Sequence, residues 1–228
     1  MTTLVLLHSP LTGRRSWARV ASLLPNAVLP DYTAVFDGAP PFYPRVVRAI
    51  ASQISGDALV LVAHSGAGAP VPLLAQHIGP PVRAAIFADA MLPHSRKSWM
   101  DTAPAPLASH LRAIQKDGYL PAWNRWWPKE TLEAMLPDGQ TREAFIADLP
   151  SLPMSYFEER APDVTMPADL PCAYLQWSNG YADEAQAARD LGWPCEMLVL
   201  HHLAMVSDPE AVAAALQSMT DEIAVRAL

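Results

Sequence analysis

Basic residues and cysteines are scarce in this 228-residue sequence. The 16 lysines and arginines are outnumbered by 23 aspartates and glutamates, which gives a formal net charge of −7. A chain with this balance lacks the positive surface that binds nucleic acid or an anionic membrane. The two cysteines, Cys172 and Cys195, show neither a CxxC nor a His–Cys spacing. This pattern excludes the common zinc motifs and favours buried free thiols.

Long apolar runs, targeting signals and phosphate-binding motifs are missing as well. No stretch approaches the roughly 18 apolar residues that a membrane span requires. The apolar start, residues 1–7, lacks the basic region and the cleavage site of a signal peptide. No glycine-rich phosphate loop is present, so nucleotide chemistry has no support in the sequence. We expect no cofactor and no metal. We therefore expect a cytoplasmic protein that binds neither nucleic acid nor a membrane, and the sequence specifies no oligomeric state.

Proline, by contrast, is abundant, with 23 prolines against 10 glycines. Because proline removes a backbone donor and fixes φ, this number excludes a bundle of long, unbroken helices. The chain is 51% hydrophobic and 17% charged, which is too apolar for general disorder. Its length suits one globular domain with a sizeable core, or a domain with a modest insertion.

Short apolar runs alternate with longer helical patterns, which is typical of an α/β sheet with crossover helices. Most of these runs are apolar without interruption, which favours parallel strands that are buried on both faces. We predict strands at residues 4–7, 27–29, 58–63, 84–88, 172–177 and 197–200. We predict helices at residues 16–24, 44–54, 66–77 and 209–228.

About 80 residues separate the fourth predicted strand from the fifth, which is too many for a simple loop. We therefore divide the chain into a core, residues 1–90 and 171–228, and an insertion, residues 91–170. The insertion is rich in proline and holds four of the seven tryptophans. Such a helical insertion is typical of a cap over a pocket, although its tryptophans could equally pack it onto the sheet. Those expected to line the substrate pocket are Trp123, Trp126 and Trp127.

The strongest chemical signal lies at residues 59–68. An apolar strand enters a turn of the form small–x–Ser–x–small, and a helix follows. A nucleophile at such a sharp turn has a strained backbone, so the residues two before and two after it must be small. Ala63 and Ala67 meet that demand. Because the helix N-terminus would also supply N–H donors to an oxyanion, we predict that Ser65 is a nucleophile.

A serine hydroxyl needs a base to take its proton, and His202 is the best placed of the seven histidines. It follows the last apolar run and precedes a helix that Ser207 or Asp208 can cap, with Pro209 at the first position. A loop at that point lies at the carboxyl edge of the sheet, where α/β proteins bind ligands. His201 is the competing candidate.

The chain resembles the α/β-hydrolase superfamily over essentially its whole length. The resemblance rests on the strand and turn at residues 4–8, on the turn at Ser65, and on His202 ahead of a capped final helix. More narrowly, it resembles small actinobacterial-type α/β-fold hydrolases with a tryptophan-rich cap. It implies an α/β fold with a mostly parallel sheet flanked by helices. Because the chain starts at the family's third strand, we expect about six strands rather than eight.

The resemblance also implies a carboxylate that accepts the second imidazole N–H. In most of the family this acid follows the strand that we predict at residues 172–177. Here that turn has no carboxylate at the expected place, and Asp183 comes three residues late. Asp89, 24 residues after the serine, matches the arrangement of the haloalkane-dehalogenase branch. We expect Asp89 to complete the triad, with Asp183 as the alternative.

The oxyanion hole departs from the family pattern. One donor is the N–H of Gly66, directly after the nucleophile, but the position of the second donor is Pro10, which has no N–H. Losing one such donor typically costs about 10²–10³ in rate. We expect Ser9 to complete the hole through its amide or its hydroxyl. The amide of Leu11 and the hydroxyl of Thr12 are the alternatives.

Together these residues predict a serine hydrolase that cleaves an ester, thioester or lactone of a largely apolar small molecule. The missing amide at Pro10 leaves a second hypothesis open, a lyase or cyclisation enzyme of natural-product biosynthesis with Ser65 or His202 as its base. A non-catalytic protein that binds a small molecule on the same scaffold is the third hypothesis.

Overall fold

A six-stranded parallel sheet forms the centre of the molecule in the computed structural model, which describes residues 2–226. The strands are β1 (Thr2–Leu7), β2 (Ala27–Val28), β3 (Ala58–Ser65), β4 (Val82–Ala90), β5 (Tyr119–Leu120), β6 (Leu152–Pro153), β7 (Cys172–Gln176) and β8 (Cys195–Met197). The order in the large sheet is β2-β1-β3-β4-β7-β8, and every neighbouring pair is parallel. Strands β5 and β6 form a separate antiparallel pair. The predicted α/β fold with about six parallel strands is confirmed.

The helices cover both faces of this sheet. They are α1 (Ala18–Leu23), α2 (Phe42–Ala51), α3 (Val71–His77), α4 (Trp99–Thr102), α5 (Ala105–Ile114), α6 (Lys129–Met135), α7 (Gly139–Ala147), α8 (Met154–Glu158), α9 (Ala182–Asp190), α10 (Ala204–Ser207) and α11 (Pro209–Arg226). Helices α1 and α11 pack on one face, and α2, α3 and α9 pack on the other. The last two residues of the helix predicted at 209–228 lie outside the described residues. Within residues 2–226, no helix has the length and apolar character needed to cross a membrane.

The uninterrupted apolar runs of the sequence follow from burial on both faces. In β3, Leu59 and Leu61 belong to the hydrophobic core on one side of the sheet, whereas Val60 and Val62 belong to the core on the other side. All four side chains are buried. Covering both faces of a strand removes the polar alternation that a half-exposed strand would show.

The strand predicted at residues 197–200 is wrong in its position, because the ladder with β7 covers Cys195–Met197 instead. Beyond Met197 the chain still follows β7, since Leu198 N–H donates to the Gln176 carbonyl at 2.8 Å. The side chain of Val199, however, is 90% exposed. In the sequence, an apolar residue that faces solvent beside the edge of the sheet looks the same as an apolar residue of a buried strand.

The insertion between β4 and β7 is helical, with α4 to α8 inside it. Its final part is fixed to the sheet-covering helices through Glu159, whose carboxylate accepts the backbone N–H of Phe42 at 2.7 Å and that of Tyr43 at 3.2 Å. A carboxylate at this place satisfies free N–H groups at the start of α2 and faces the positive end of its dipole. The division of the chain into a core and a separate cap stays a prediction.

Both cysteines are free thiols, as expected from their spacing. Cys172 is buried, and burial raises the pKa of its thiol to about 12. Cys195 is half-buried rather than buried. Neither residue lines the large cavity described below.

Candidate active site

Ser65 ends strand β3 in a strained backbone conformation, with φ 55° and ψ −128°. A short 3₁₀ turn, Gly66–Gly68, follows directly and leads into α3. Positive φ is uncommon for a non-glycine residue, and at functional sites such strain is held by the surrounding packing. The small neighbours Ala63 and Ala67 are both buried. The sharp strand-to-helix turn predicted at Ser65 is therefore present.

Gly68 is a third small residue that the turn requires. A Cβ atom at this position would lie 1.9 Å from the carbonyl oxygen of Met91, which follows β4. The same stretch is joined to the turn by the Met91 N–H, which donates to the Ser65 carbonyl at 3.2 Å. The turn after β3 and the end of β4 are thus in direct backbone contact.

Asp89 and His202 form a close pair at the carboxyl edge of the sheet. The Nδ1 atom of His202 lies 2.7 Å from Oδ2 of Asp89, whose side chain is completely buried. Asp89 also has positive φ, at 45°, near the end of β4. The next residue is held by Tyr174, whose hydroxyl donates to the Ala90 carbonyl at 2.7 Å and accepts the Ala90 N–H at 3.1 Å. The acid favoured by the sequence is therefore the one that contacts His202.

Three further donors fix the Asp89 carboxylate. Oδ1 accepts the backbone N–H groups of Trp177 at 3.1 Å and Ser178 at 2.9 Å, and Oδ2 accepts the Ser178 hydroxyl at 2.6 Å. The turn after β7 thus supplies donors for a carboxylate that comes from β4. Asp183, the alternative acid, is exposed in the first turn of α9 and makes no hydrogen bond to His202 within the described chain.

The imidazole of His202 stacks with two other rings. Its centroid lies 4.6 Å from that of His64 and 5.0 Å from that of Tyr181, with interplanar angles of 30° and 16°. The His202 carbonyl accepts the Nε2–H of His64 at 3.1 Å and the indole N–H of Trp177 at 3.3 Å. Burial is the main cause that lowers the pKa of His64 well below its usual range, so this ring stays neutral.

His201, the competing base, is engaged elsewhere. Its Nδ1 accepts the backbone N–H of Leu203 at 3.3 Å, and its Nε2 lies 3.0 Å from the hydroxyl of Ser207. These contacts tie the ring to the start and the end of α10. His202 is consequently the histidine whose ring is oriented by a carboxylate.

Tyr181 is a site residue that no sequence motif indicated. Its hydroxyl lies 3.0 Å from Oγ of Ser65, while its ring stacks on His202. Burial raises the pKa of Tyr181, so its hydroxyl keeps its proton. Among the described residues, no hydrogen bond joins Ser65 Oγ to the His202 ring, so the serine hydroxyl is bonded to the tyrosine instead.

The residues around Pro10 narrow the choice of oxyanion donors. The backbone N–H of Leu11 is bonded to the Ser9 hydroxyl oxygen at 3.3 Å, and the Thr12 hydroxyl donates to the Ser9 carbonyl at 3.3 Å. Both alternative donors are thus engaged within their own turn. A Cβ atom on Gly66 would lie 3.3 Å from Cδ of Pro10 and 3.8 Å from Oγ of Ser9, so this turn faces the residue after Ser65.

A cavity of about 670 Å³ opens over Ser65 and His202. Its walls are mostly aromatic and apolar, and they come largely from the insertion. The three tryptophans expected at the pocket all lie there, although in different roles. Trp126 is buried and donates its indole N–H to the Pro121 carbonyl at 2.8 Å, whereas Trp127 is 38% exposed. Trp123 packs edge-on against Phe145.

The sequence matches a protein-family model over most of its length. The model of the alpha/beta hydrolase family matches residues 4–215. The chain belongs to this family. Within residues 2–226, no group of three or more His, Cys, Asp or Glu side chains is placed to hold a metal ion.

Several solved structures share the fold of this chain at low sequence identity. An extracellular α/β-hydrolase from a Paenibacillus species is 17% identical, with a TM-score of 0.73 over 100% of this chain and 99% of its own. A pyrethroid hydrolase from Sphingobium faniae is 21% identical, with a TM-score of 0.70 over 97% and 98%. Tomato methylketone synthase I is 12% identical, with a TM-score of 0.72 over 97% and 98%. No curated protein matches the sequence.

Proposed function

We propose that this family member is a serine hydrolase that cleaves an ester, thioester or lactone of a largely apolar small molecule. The observation that carries the proposal is the 2.7 Å contact between buried Asp89 and His202 Nδ1, beside a serine on a strained turn. A carboxylate on Nδ1 fixes the tautomer that leaves Nε2 free to accept a proton. The aromatic walls of the cavity favour an apolar substrate.

In the proposed reaction, the O–H bond of Ser65 rotates from Tyr181 towards His202 while Oγ stays beside the tyrosine hydroxyl, and Oγ attacks the carbonyl carbon of the substrate. His202 Nε2 takes the hydroxyl proton, and Asp89 stabilises the resulting imidazolium. The Gly66 N–H and the Ser9 hydroxyl donate to the oxyanion. His202 then protonates the leaving alcohol or thiol as the bond to it breaks. A water molecule then gives a proton to His202 Nε2 and attacks the acyl carbon. The bond to Ser65 Oγ breaks, His202 returns the proton to that oxygen, and the acid product leaves.

Tyr181 has a specific part in this scheme. Once Ser65 gives its proton to His202, its Oγ carries developing negative charge and acts only as an acceptor. The tyrosine hydroxyl, 3.0 Å away, then donates to that oxygen. A hydrogen bond to a charged group is worth about 1.5–3 kcal/mol. This contribution offsets part of what the missing amide of Pro10 costs.

The comparisons support a hydrolytic reaction. The structures similar to this chain include a pyrethroid hydrolase and a polyneuridine aldehyde esterase. The first name states a hydrolase and the second an esterase, and ester hydrolysis is the chemistry that the arrangement of Ser65, His202 and Asp89 suits.

A fluorophosphonate probe, which labels activated serine hydroxyls, tests the proposal. We expect the wild-type protein to be labelled, the Ser65→Ala variant to remain unlabelled, and the His202→Ala variant to be labelled at least about 10²-fold more slowly. Mass spectrometry of the labelled peptide identifies the site. Labelling that persists in Ser65→Ala, or a wild-type protein that is not labelled at all, would contradict the assignment and favour a binding protein.

Pro10 favours one second candidate, a lyase that uses the same serine and histidine as bases without forming a tetrahedral oxyanion. Such an enzyme does not insert water into its product. Turnover in ¹⁸O-labelled water therefore separates the two reactions. We expect one labelled oxygen in the acid product, and a product without the label would favour the lyase.

A further inference from the structure

The cavity over Ser65 has an uneven distribution of charge. Within the described chain, its lining contains no lysine and no arginine, and its one carboxylate belongs to Glu184. The histidines at its base do not balance that charge, because burial lowers the pKa of His201 and His202 is paired with Asp89. The basic pair near the N-terminus is neutralised elsewhere, with Arg14 3.8 Å from Asp31 and Arg15 3.8 Å from Asp148.

Glu184 is half-buried in the first turn of α9, three residues after Tyr181. No lysine, arginine or histidine of residues 2–223 lies within ion-pair distance of its carboxylate. Burial raises the pKa of this carboxyl against the opposing effect of a hydrogen bond from its own backbone N–H, and the neighbouring charges of Asp183 and Asp89 act in the same direction as burial. A partly desolvated carboxylate without a cation nearby is costly, and a positive ligand in the cavity would remove that cost.

Aromatic rings surround the same space. The insertion contributes Trp99, Trp123, Trp126, Trp127, Tyr156 and Phe157. The face of an aromatic ring attracts a cation, most strongly when the cation is desolvated and the ring is tryptophan. Aromatic cages bind quaternary ammonium groups, and the Glu184 carboxylate adds a charge of the opposite sign to this lining. A purely apolar ligand would leave the Glu184 carboxylate without a cation beside it.

We propose that the substrate is a cationic ester, one that carries a quaternary ammonium or protonated amine. The inference rests on the proposed hydrolase function and specifies its substrate class. Tyr181 touches Ser65, and Glu184 follows it by about one helical turn, so the positive group lies near the bond that is cleaved. The same charge distribution disfavours substrates with carboxylate or phosphate groups, coenzyme A thioesters among them.

A pair of esters with the same shape and different charge tests this inference. Butyrylcholine carries a trimethylammonium group, and 3,3-dimethylbutyl butyrate has an uncharged tert-butyl group in its place. Binding to the Ser65→Ala variant, which cannot turn either ester over, is measured by isothermal titration calorimetry. We expect the cationic ester to bind about 10- to 30-fold more tightly.

Variants of two neighbouring carboxylates show which group is responsible. In the Ser65→Ala background, Glu184→Gln should reduce the preference for butyrylcholine to less than about threefold. Asp183→Asn removes the same charge from the same helical turn but is exposed and outside the cavity lining, so it should preserve the preference. Equal or tighter binding of the neutral ester, binding of neither ester, or an unchanged preference in Glu184→Gln would overturn the inference. Fluorophosphonate labelling of Ser65 is independent of these outcomes and tests the hydrolase function separately.

Discussion

Tyr181 contacts both the nucleophile and the base of the proposed triad. Its hydroxyl is bonded to Ser65 Oγ, and its ring lies against the imidazole of His202. These are two separable contributions, since the ring positions the base and the hydroxyl acts on the reacting oxygen. A substitution that keeps the ring and removes the hydroxyl distinguishes them.

We expect Tyr181→Phe to lower kcat by about ten- to a hundredfold with little change in KM, because the lost hydrogen bond acts only on charge that develops during attack. Steady-state kinetics on a neutral 4-nitrophenyl ester measures the effect. Tyr119→Phe, at an exposed tyrosine in β5 outside the cavity lining, serves as the control and should keep wild-type rates. An unchanged kcat in Tyr181→Phe would mean that Tyr181 contributes to the reaction only through the stacking of its ring on His202.

At the scale of the elements, the site depends on the contact between the turn after β3 and the end of β4. Gly68 approaches the Met91 carbonyl so closely that a methyl group has no room. Asp89 lies two residues before Met91, on the same stretch. A substitution that forces Gly68 and Met91 apart is therefore expected to displace the Asp89 carboxylate, which orients His202.

Gly68→Ala should destabilise the protein by about 1–3 kcal/mol, because the added Cβ would meet backbone rather than a flexible side chain. It should also reduce the rate of fluorophosphonate labelling. Urea denaturation gives the free energy of unfolding. Gly79→Ala is the matched control, since no heavy atom beyond its two chain neighbours lies within 4 Å of the Cβ that it adds, and we expect a change of no more than about 1 kcal/mol. Equal stability of Gly68→Ala and Gly79→Ala would contradict the close contact between Gly68 and the Met91 carbonyl.

Across the whole molecule, several histidines are kept neutral by burial. Burial is the main cause that lowers the pKa of four of them: His8, His64, His94 and His201. Between its lowered native pKa and its ordinary value of 6.5, each binds more protons in the unfolded state. The free energy of unfolding must then fall as the pH decreases. Glu184, whose pKa is raised, acts in the opposite sense but is one group against four.

We therefore expect the urea midpoint to change little between pH 8 and 7 and to fall steadily from about pH 6.5 to 5.5. The slope is limited to about 1.4 kcal/mol per pH unit for each histidine that stays neutral. A constant midpoint across this range would show that these rings become protonated in the folded state.

The sequence predicted the strands correctly where a whole strand is buried on both faces. The run at residues 58–63 is apolar at every position because β3 is covered on both faces. The last strand was misplaced because Val199 is apolar although solvent surrounds it. A single sequence does not distinguish these two causes of apolar character.

The residues of the candidate site could be predicted from the sequence where they lie at or shortly after the end of a strand. Ser65, Asp89 and His202 lie near strand ends, and parallel strands bring their carboxyl ends to one edge of the sheet. Ser178 and Tyr181 belong to the turn after β7, whose position beside Asp89 and Ser65 depends on tertiary packing. Neither residue type at that spacing forms a recognisable motif, and Glu184 looks like an ordinary surface charge until the cavity is seen.

The contact between the Glu159 carboxylate and the start of α2 makes the attachment of the insertion measurable at the amide groups of that helix. The amide protons of Phe42 and Tyr43 are bonded to this side chain and to no carbonyl of their own helix. They exchange with solvent only when Glu159 leaves or when α2 frays. Their exchange rates, compared with those of amides deeper in α2, thus report how often the insertion detaches at this end, and a ligand that holds it over the cavity would slow these two protons first.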